Sequence, residues 1–477
     1  MGSRKVTSTV SADFQGKHVT VAGLGVSGIP AAKVLHARGA LVTVVNDGDD
    51  ARAREQAAEL EALGITVRLG DGATLPEGTE LIVTAPGWKP DKPLFTAARE
   101  AGVDIWGDVE LAWRLRGPDA APWLAITGTN GKTTTTQMLA SILKAAGLRT
   151  AAVGNIGVSV LDAVLGEEQY DVLAVELSSY QLHWAPSLRA HSAAVLNLAP
   201  DHLDWHGSME AYARDKGRVY EGNRVACVYN VADKATEDLV READVEEGCR
   251  AIGFTLGSPG PSQLGVVDGI LVDRAFVENR QKNAQELAEV SDVNPPAPHN
   301  IANALAAAAL ARAFGVPAKA VRDGLRAFTP DAHRIAHVAD VDGVAYVDDS
   351  KATNTHAAEA SLAAYESIVW IAGGLAKGAS FDELVAKSAK RLRGVVLIGA
   401  DRALIREALA RHAPEVPVVD LDRTDTGAML QAVTEAKRLA QPGDTVLLAP
   451  ACASMDMFTN YNKRGDAFAE AVRELGS

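Results

Sequence analysis

Short apolar runs alternate with longer amphipathic or alanine-rich stretches along most of this chain. Near its start, HVTVAGLGVSGIPAAKVLHARGALVTVVND, residues 18–47, reads as strand, glycine-rich turn, helix and strand. That is the pattern of a βαβ unit. ELIVTAPG and VDIWGD continue the alternation, and RGPDAAPW then interrupts it with Gly and Pro. A first domain is predicted over 1–119, after a polar, mobile start.

A second block is predicted over 120–329. Its apolar strands lie in LAIT, DVLAVE and SAAVLNL, and VVDGILV predicts a hairpin turning at Asp268-Gly269. NIANALAAAALARAFG predicts a helix that stops at Gly315, with Pro317 just beyond. A third block, over 330–477, follows FTPDAHR. Its strands are VAYVDD, SIVWIAGG, GVVLIGA and TVLLAP, with helical stretches between them. The whole reads as an α/β protein of three domains, the outer two Rossmann-like and the central one a P-loop domain.

Bulk properties narrow the class. The 477 residues suffice for about three domains of roughly 150 residues each. A net charge of −14, with no Lys/Arg cluster, argues against nucleic acid or an anionic membrane as partner. No stretch reads as a signal peptide or a membrane span. Cys227, Cys249 and Cys452 form no CxxC pair, a sparse set suited to a reducing compartment. A soluble cytoplasmic protein without membrane insertion is expected.

The strongest chemical signal is LAITGTNGKTTTTQML, residues 124–139. Gly131, Lys132 and Thr133 fit the end of the pattern GxxxxGK(S/T), while Ile126 replaces its first Gly and Gly128 is displaced by two. Backbone N–H groups of Gly128, Thr129, Asn130 and Gly131 and the helix start at Thr133 and Thr134 would cradle phosphates. Lys132 would reach the outer phosphates, and the Thr133 hydroxyl would serve Mg²⁺. A plain glycine turn is the bland alternative. Glu176 ends the strand VLAVE, where P-loop proteins place a metal-binding acid; a surface carboxylate is the other reading. His202 follows another strand and could reach the same cleft or merely cap a loop. Lys216, alone, reads as a solvated helix lysine.

Gly23, Gly25 and Gly28, with Val26 and Ser27 between them and Asp47 further on, form a dinucleotide fingerprint. NAD and a UDP-sugar fit it equally. Pro86 and Gly87 in TAPGWKPDKP could cover the same pyrophosphate. In the third block Lys351, Thr353, Lys377 and Ser454 follow predicted strands, where open α/β sheets bind ligands, and would suit an anionic substrate.

GTNGKTT, ELSSYQL, NLAPDHLDWHGS, HNIANALAA, DDSKATN, GGLAKGASF and PACASMDMF occur in the order and approximate spacing of the Mur ligases, the ATP-dependent amino-acid ligases of peptidoglycan assembly. The chain resembles that family from Gly23 to Phe468, and its third-block motifs resemble the branch that adds D-glutamate. The resemblance implies UDP-N-acetylmuramoyl-L-alanine on the first domain, ATP and Mg²⁺ on the central one and D-glutamate on the last, which closes over the cleft. It further implies that Gly25, Val26, Ser27, Asp47, Pro86, Gly87 and Asn155 contact the UDP substrate. Asn300 and Asn303 match residues around the adenine, and Arg334 and Asp349 match further ATP contacts. Thr353 and Lys377 would take one carboxylate of D-glutamate, and Ser454 and the backbone at Tyr461 the other. Lys351 would lie near the phosphate. Thr133, Glu176, His202 and Lys216 would serve the metal, Lys216 through a CO₂-derived carbamate. Leu375 and Tyr461 depart from the residues expected at their positions. A monomer is expected. The rival readings are a sister ligase of the same family, a nicotinamide-dependent dehydrogenase argued from the first glycines alone, and a P-loop regulator without ligase activity.

Overall fold

Strands that are buried on both faces read as continuous apolar runs, and here they assemble three sheets. The computed structural model describes residues 13–423, 425 and 427–475; the polar start at 1–12 lies outside them. The first sheet holds β1 (His18–Ala22), β2 (Leu41–Asn46), β3 (Thr66–Leu69), β4 (Leu81–Thr84) and β5 (Asp104–Gly107) in the order β3-β2-β1-β4-β5. All pairs are parallel. The strand order reverses between β1 and β4, so the turns after these two strands flank a ligand crevice.

The second sheet contains β6 (Trp123–Thr127), β7 (Ala152–Gly154), β8 (Leu173–Glu176), β9 (Ser192–Val195), β10 (Ala226–Asn230), β11 (Arg250–Phe254), β12 (Gln263–Val267), β13 (Ile270–Asp273) and β14 (Gln285–Glu289). Its order is β14-β13-β12-β11-β10-β9-β6-β8-β7. The β12–β13 hairpin turns at Asp268 and Gly269, both at positive φ, as a two-residue hairpin requires. The alanine-rich helix runs Pro298–Ala313, and Gly315 at φ 92° follows it. The helix Ala318–Ala327 packs on Lys132–Ala145 through Gly324, where a Cβ would stand 2.4 Å from Ile142 Cα.

The third sheet comprises β15 (Ala336–Val341), β16 (Val344–Asp348), β17 (Ile368–Gly373), β18 (Leu392–Ile398), β19 (Val418–Asp420) and β20 (Thr445–Leu448), ordered β15-β16-β20-β17-β18-β19. Only β15 runs antiparallel, in a hairpin with β16; the half-exposed AHVADV gave it no apolar run in the sequence.

The three sheets define three α/β domains, which group into two compact units. One contains the chain up to Val293 together with Ile301–Phe328; the other contains Asn294–Asn300 and the chain from Thr329 onward. The first two sheets therefore share a unit, despite the Gly/Pro break between them. Gly107 N–H donates to Trp184 O at 2.8 Å, and Ser187 N–H donates to the buried Glu110 carboxylate at 3.0 Å. Trp113 and Trp123 pack edge to face at 4.9 Å.

Candidate active site

The P-loop leaves buried β6 at Gly128 and enters the helix Lys132–Ala145 through Gly131, which is left-handed at φ 83°. A side chain at Gly131 would strike Asn303 Oδ1, 2.4 Å from an ideal Cβ. Asn303 is therefore packed against the loop, and Asn300 lies buried one turn earlier on its helix. Asn197 holds the loop from outside. Its Oδ1 accepts from Asn130 N–H at 2.8 Å, and its Nδ2 donates to Asn130 O at 3.1 Å. The Thr129 hydroxyl bonds Tyr212 OH at 2.9 Å. Thr133 and Thr134 are buried in the first helical turn.

Two lysines converge on one carbonyl. Lys132 Nζ donates to Gly128 O at 3.0 Å and Thr129 O at 2.9 Å, and Lys216 Nζ donates to Gly128 O at 2.8 Å. Lys216 is buried, with Nζ 4.7 Å from the Tyr212 ring centroid. Burial, and then the Lys132 charge, hold its pKa well below the ordinary lysine value. The expectation of a solvated helix lysine is thus corrected: the helix Met209–Gly217 turns this side chain inward.

Glu176 ends β8 and is buried. Its Oε1 accepts from Asn155 Nδ2 at 2.9 Å, while Oε2 is buried without a hydrogen-bond partner among the described residues. A cation is a partner that such an oxygen lacks. Asn155, expected at the UDP substrate, is the donor of that bond. His202 is left-handed at φ 54° and half-exposed; its Nε2 lies 3.5 Å from Asp201. Partial burial lowers its pKa, Asp201 opposes this, and the charges of Lys216 and Lys132 add to the lowering. Among the described residues no three His, Cys, Asp or Glu side chains gather as a metal cluster. The expected metal set, Thr133, Glu176, His202 and Lys216, offers one carboxylate and one imidazole beside a lysine and a threonine.

In the first domain the turn after β1 carries exposed Val26 between half-buried Gly25 and Ser27. Ser27 Oγ donates to Asp108 at 2.9 Å, and burial raises the Asp108 pKa. Asp47 follows β2 and pairs with Lys92 at 2.5 Å. The turn after β4 holds Pro86 and Gly87, and Gly87 O accepts from Trp205 Nε1 at 3.2 Å. Lys89 of that turn donates to Asp204 O at 2.8 Å. The UDP-loop candidates thus reach the segment that carries His202.

In the third domain β16, β20 and β17 are neighbours, so the loops after them share one edge. Leu375 and Ala453 exchange backbone hydrogen bonds of 2.9 and 3.0 Å, and Ala451 N–H donates to Ala352 O at 2.9 Å. Buried Arg464 donates to Ser350 Oγ, Ser350 O and Cys452 O at 3.0, 2.8 and 3.1 Å. Lys351 Nζ lies 4.0 Å from the Tyr461 ring centroid, and Tyr461 O accepts from Ser350 Oγ at 2.8 Å. Ser454 is buried, Thr353 half-buried and Lys377 exposed at φ 50°. Asp349 is buried, and its pKa rises to about 6 through desolvation; the Ser361 hydroxyl bonds it and the Arg334 charge opposes the rise.

Sequence reasoning missed Asn197, Tyr212 and Arg464, whose roles are long-range. It also missed Asp215, which accepts from His183 at 2.8 Å and His206 at 3.0 Å while His206 bonds Ser179 at 2.9 Å.

A central sheet that carries a P-loop, preceded and followed along the chain by an α/β sheet, defines a nucleotide-binding α/β protein. Models of the Mur ligase middle domain and of the Mur ligase glutamate ligase domain match residues 126–311 and 333–452. The chain is 89% identical over 98% of its length to the UDP-N-acetylmuramoylalanine–D-glutamate ligase of Streptomyces coelicolor, covering 99% of that protein. It is also 89% identical over 98% of its length to the enzyme of the same description from Streptomyces avermitilis, covering all (100%) of it. The crystal structure of the UDP-N-acetylmuramate-alanine ligase of Thermotoga maritima has the same fold, with a TM-score of 0.55 at 18% identity over 96% of this chain and 99% of that one. The chain belongs to the Mur ligase family.

Proposed function

We propose that this chain is an ATP-dependent ligase that joins D-glutamate to UDP-N-acetylmuramoyl-L-alanine in peptidoglycan precursor synthesis, releasing ADP and phosphate. It acts as a cytoplasmic monomer. Residues 1–119 bind the UDP substrate, 120–329 bind ATP, and 330–477 bind D-glutamate. The description of relatives 89% identical along the chain supports the substrates. The observation that carries the chemistry is the convergence of Lys132 and Lys216 on Gly128 O beside the unpartnered Glu176 oxygen.

A carboxylate does not condense with an amine in water, because the amine is protonated and oxide is a poor leaving group. The γ-phosphate therefore passes to the L-alanine carboxylate, giving an acyl phosphate. The D-glutamate amine attacks that carbonyl, and phosphate leaves as the amide forms. Lys132 and the P-loop N–H groups offset the charge of two anions brought together. Mg²⁺, when bound, would be held by Thr133, Glu176 and His202, and supplies further charge neutralisation. Lys216 is the residue that would carry a CO₂-derived carbamate, since only the neutral amine reacts with CO₂ and burial favours that form. Asn300, Asn303, Arg334 and Asp349 would serve ATP. Thr353, Lys377, Ser454 and the Tyr461 backbone would hold D-glutamate, with Lys351 near the phosphate.

The test is phosphate release from ATP with UDP-N-acetylmuramoyl-L-alanine and one amino acid at a time. Release with D-glutamate alone, matched by amide product, supports the proposal. Release with another amino acid makes the chain a sister ligase, and release that ignores both substrates defeats the assignment of the outer domains.

A further inference from the structure

Cys227 and Cys249 look unrelated in the sequence, yet the second sheet brings them together. Cys227 lies on β10 and pairs opposite Ala251 of β11 in a parallel register. Cys249, two residues before Ala251, therefore falls on the same face. The two Sγ atoms are 3.9 Å apart. Cys227 is buried and Cys249 half-buried.

We propose that Cys227 and Cys249 form a redox-active dithiol, which a small-molecule disulfide converts into an intramolecular disulfide. The Cys249 thiolate attacks one sulfur of the reagent, forming a mixed disulfide and releasing one thiolate. The Cys227 thiolate then attacks the Cys249 sulfur and expels the second. The two protein thiols lose two electrons and two protons, and the reagent leaves as two thiols. The order follows from access, because Cys249 is the more exposed. It also follows from charge: the bond from Cys227 lowers the Cys249 pKa, while the same contact and burial raise that of Cys227. Bonding needs the sulfurs about 2 Å closer, at roughly 2.05 Å. Cys249 can move, since it precedes β11 and follows a turn that contains Gly248 at φ 90°. The pair sits toward the amino end of β10, whereas the active-site loops leave the carboxyl ends of β6, β8 and β9. Ligase turnover is therefore expected to survive oxidation, and the bridge would cap Cys249 reversibly against higher oxidation.

The full chain would be incubated with glutathione disulfide, denatured, alkylated and weighed. The expected product is lighter by two hydrogens before alkylation, keeps Cys452 as its alkylated thiol, and yields a linked Cys227–Cys249 peptide that dithiothreitol separates. Cys249→Ser should abolish the link, and Cys452→Ser should leave it. Alkylation of all three cysteines after this treatment, or a stable glutathione adduct on Cys249 with Cys227 still alkylated, would overturn the proposal.

Discussion

The P-loop site and the third-domain site both bind anions in this reading, but they are built in opposite ways. At the P-loop the charge is internal. Lys216 is buried, and both it and Lys132 rest on Gly128 O, so two lysine amines crowd one carbonyl and burial beside Lys132 favours the neutral form of Lys216. In the third domain the frame is internal and the charge lies further out. Arg464 is the buried cation there, but it is consumed by Ser350 and Cys452, while Lys377 is exposed. The first site is poised for an anion by the Lys132 charge and the N–H groups of a glycine loop at a helix start. The second is shaped by loops tied to one another, with exposed Lys377 and Lys351 over the Tyr461 ring to meet a small substrate.

The comparison breaks most sharply at Lys132. Lys132→Ala should reduce phosphate release by at least about 10²–10³-fold, the cost of one lost transition-state donor. UDP-substrate affinity by calorimetry should stay near that of the parent; retained turnover would remove the P-loop role. Lys216→Ala should lose about as much, with partial rescue of turnover by short carboxylates. Full activity without additive would show that neither the buried amine nor its carbamate matters.

Arg464→Met probes the other construction. It leaves the Ser350 and Cys452 carbonyls without their donor, at about 1–3 kcal/mol for each buried group left unpaired. Lower urea stability and a raised KM for D-glutamate are expected, with KM for ATP less affected; equal effects on both would argue against a loop-specific frame.

The smallest effect is the pH response of Asp349. Its folded pKa of about 6 lies above the ordinary 3.8, so the folded state keeps the proton longer than the unfolded chain. Stability from this group is present below the ordinary value and falls as pH rises toward 6, by about 3 kcal/mol across the window. Asp349→Asn should flatten that slope in urea melts between pH 4.5 and 6.5. An unchanged slope would mean that burial does not control this carboxyl.

Much of this was legible because the relevant signals are local. Gly131 and Lys132 announce a phosphate loop through adjacent residues, and the apolar run before them fixes the strand. Asp268-Gly269 specifies its hairpin by turn chemistry alone. Lys216 was not legible as a buried group: its helix has polar residues on most sides, and only packing against Tyr212 and Gly128 decides which face turns inward. Arg464 lies far along the chain from Ser350, and no local pattern links them.

The sequence by itself determined the α/β alternation, the central apolar strands, the P-loop, the Asp268-Gly269 turn and the family likeness, because each rests on short-range periodicity or on residues close in the chain. Tertiary structure decided the rest. It packed the first two domains into one unit across a Gly/Pro break, aimed Lys216 at Gly128, left a Glu176 oxygen unpartnered, tied the third-domain loops to Arg464 and set two distant cysteines side by side. Each depends on strand order and burial, which bring together residues that their spacing along the chain keeps apart.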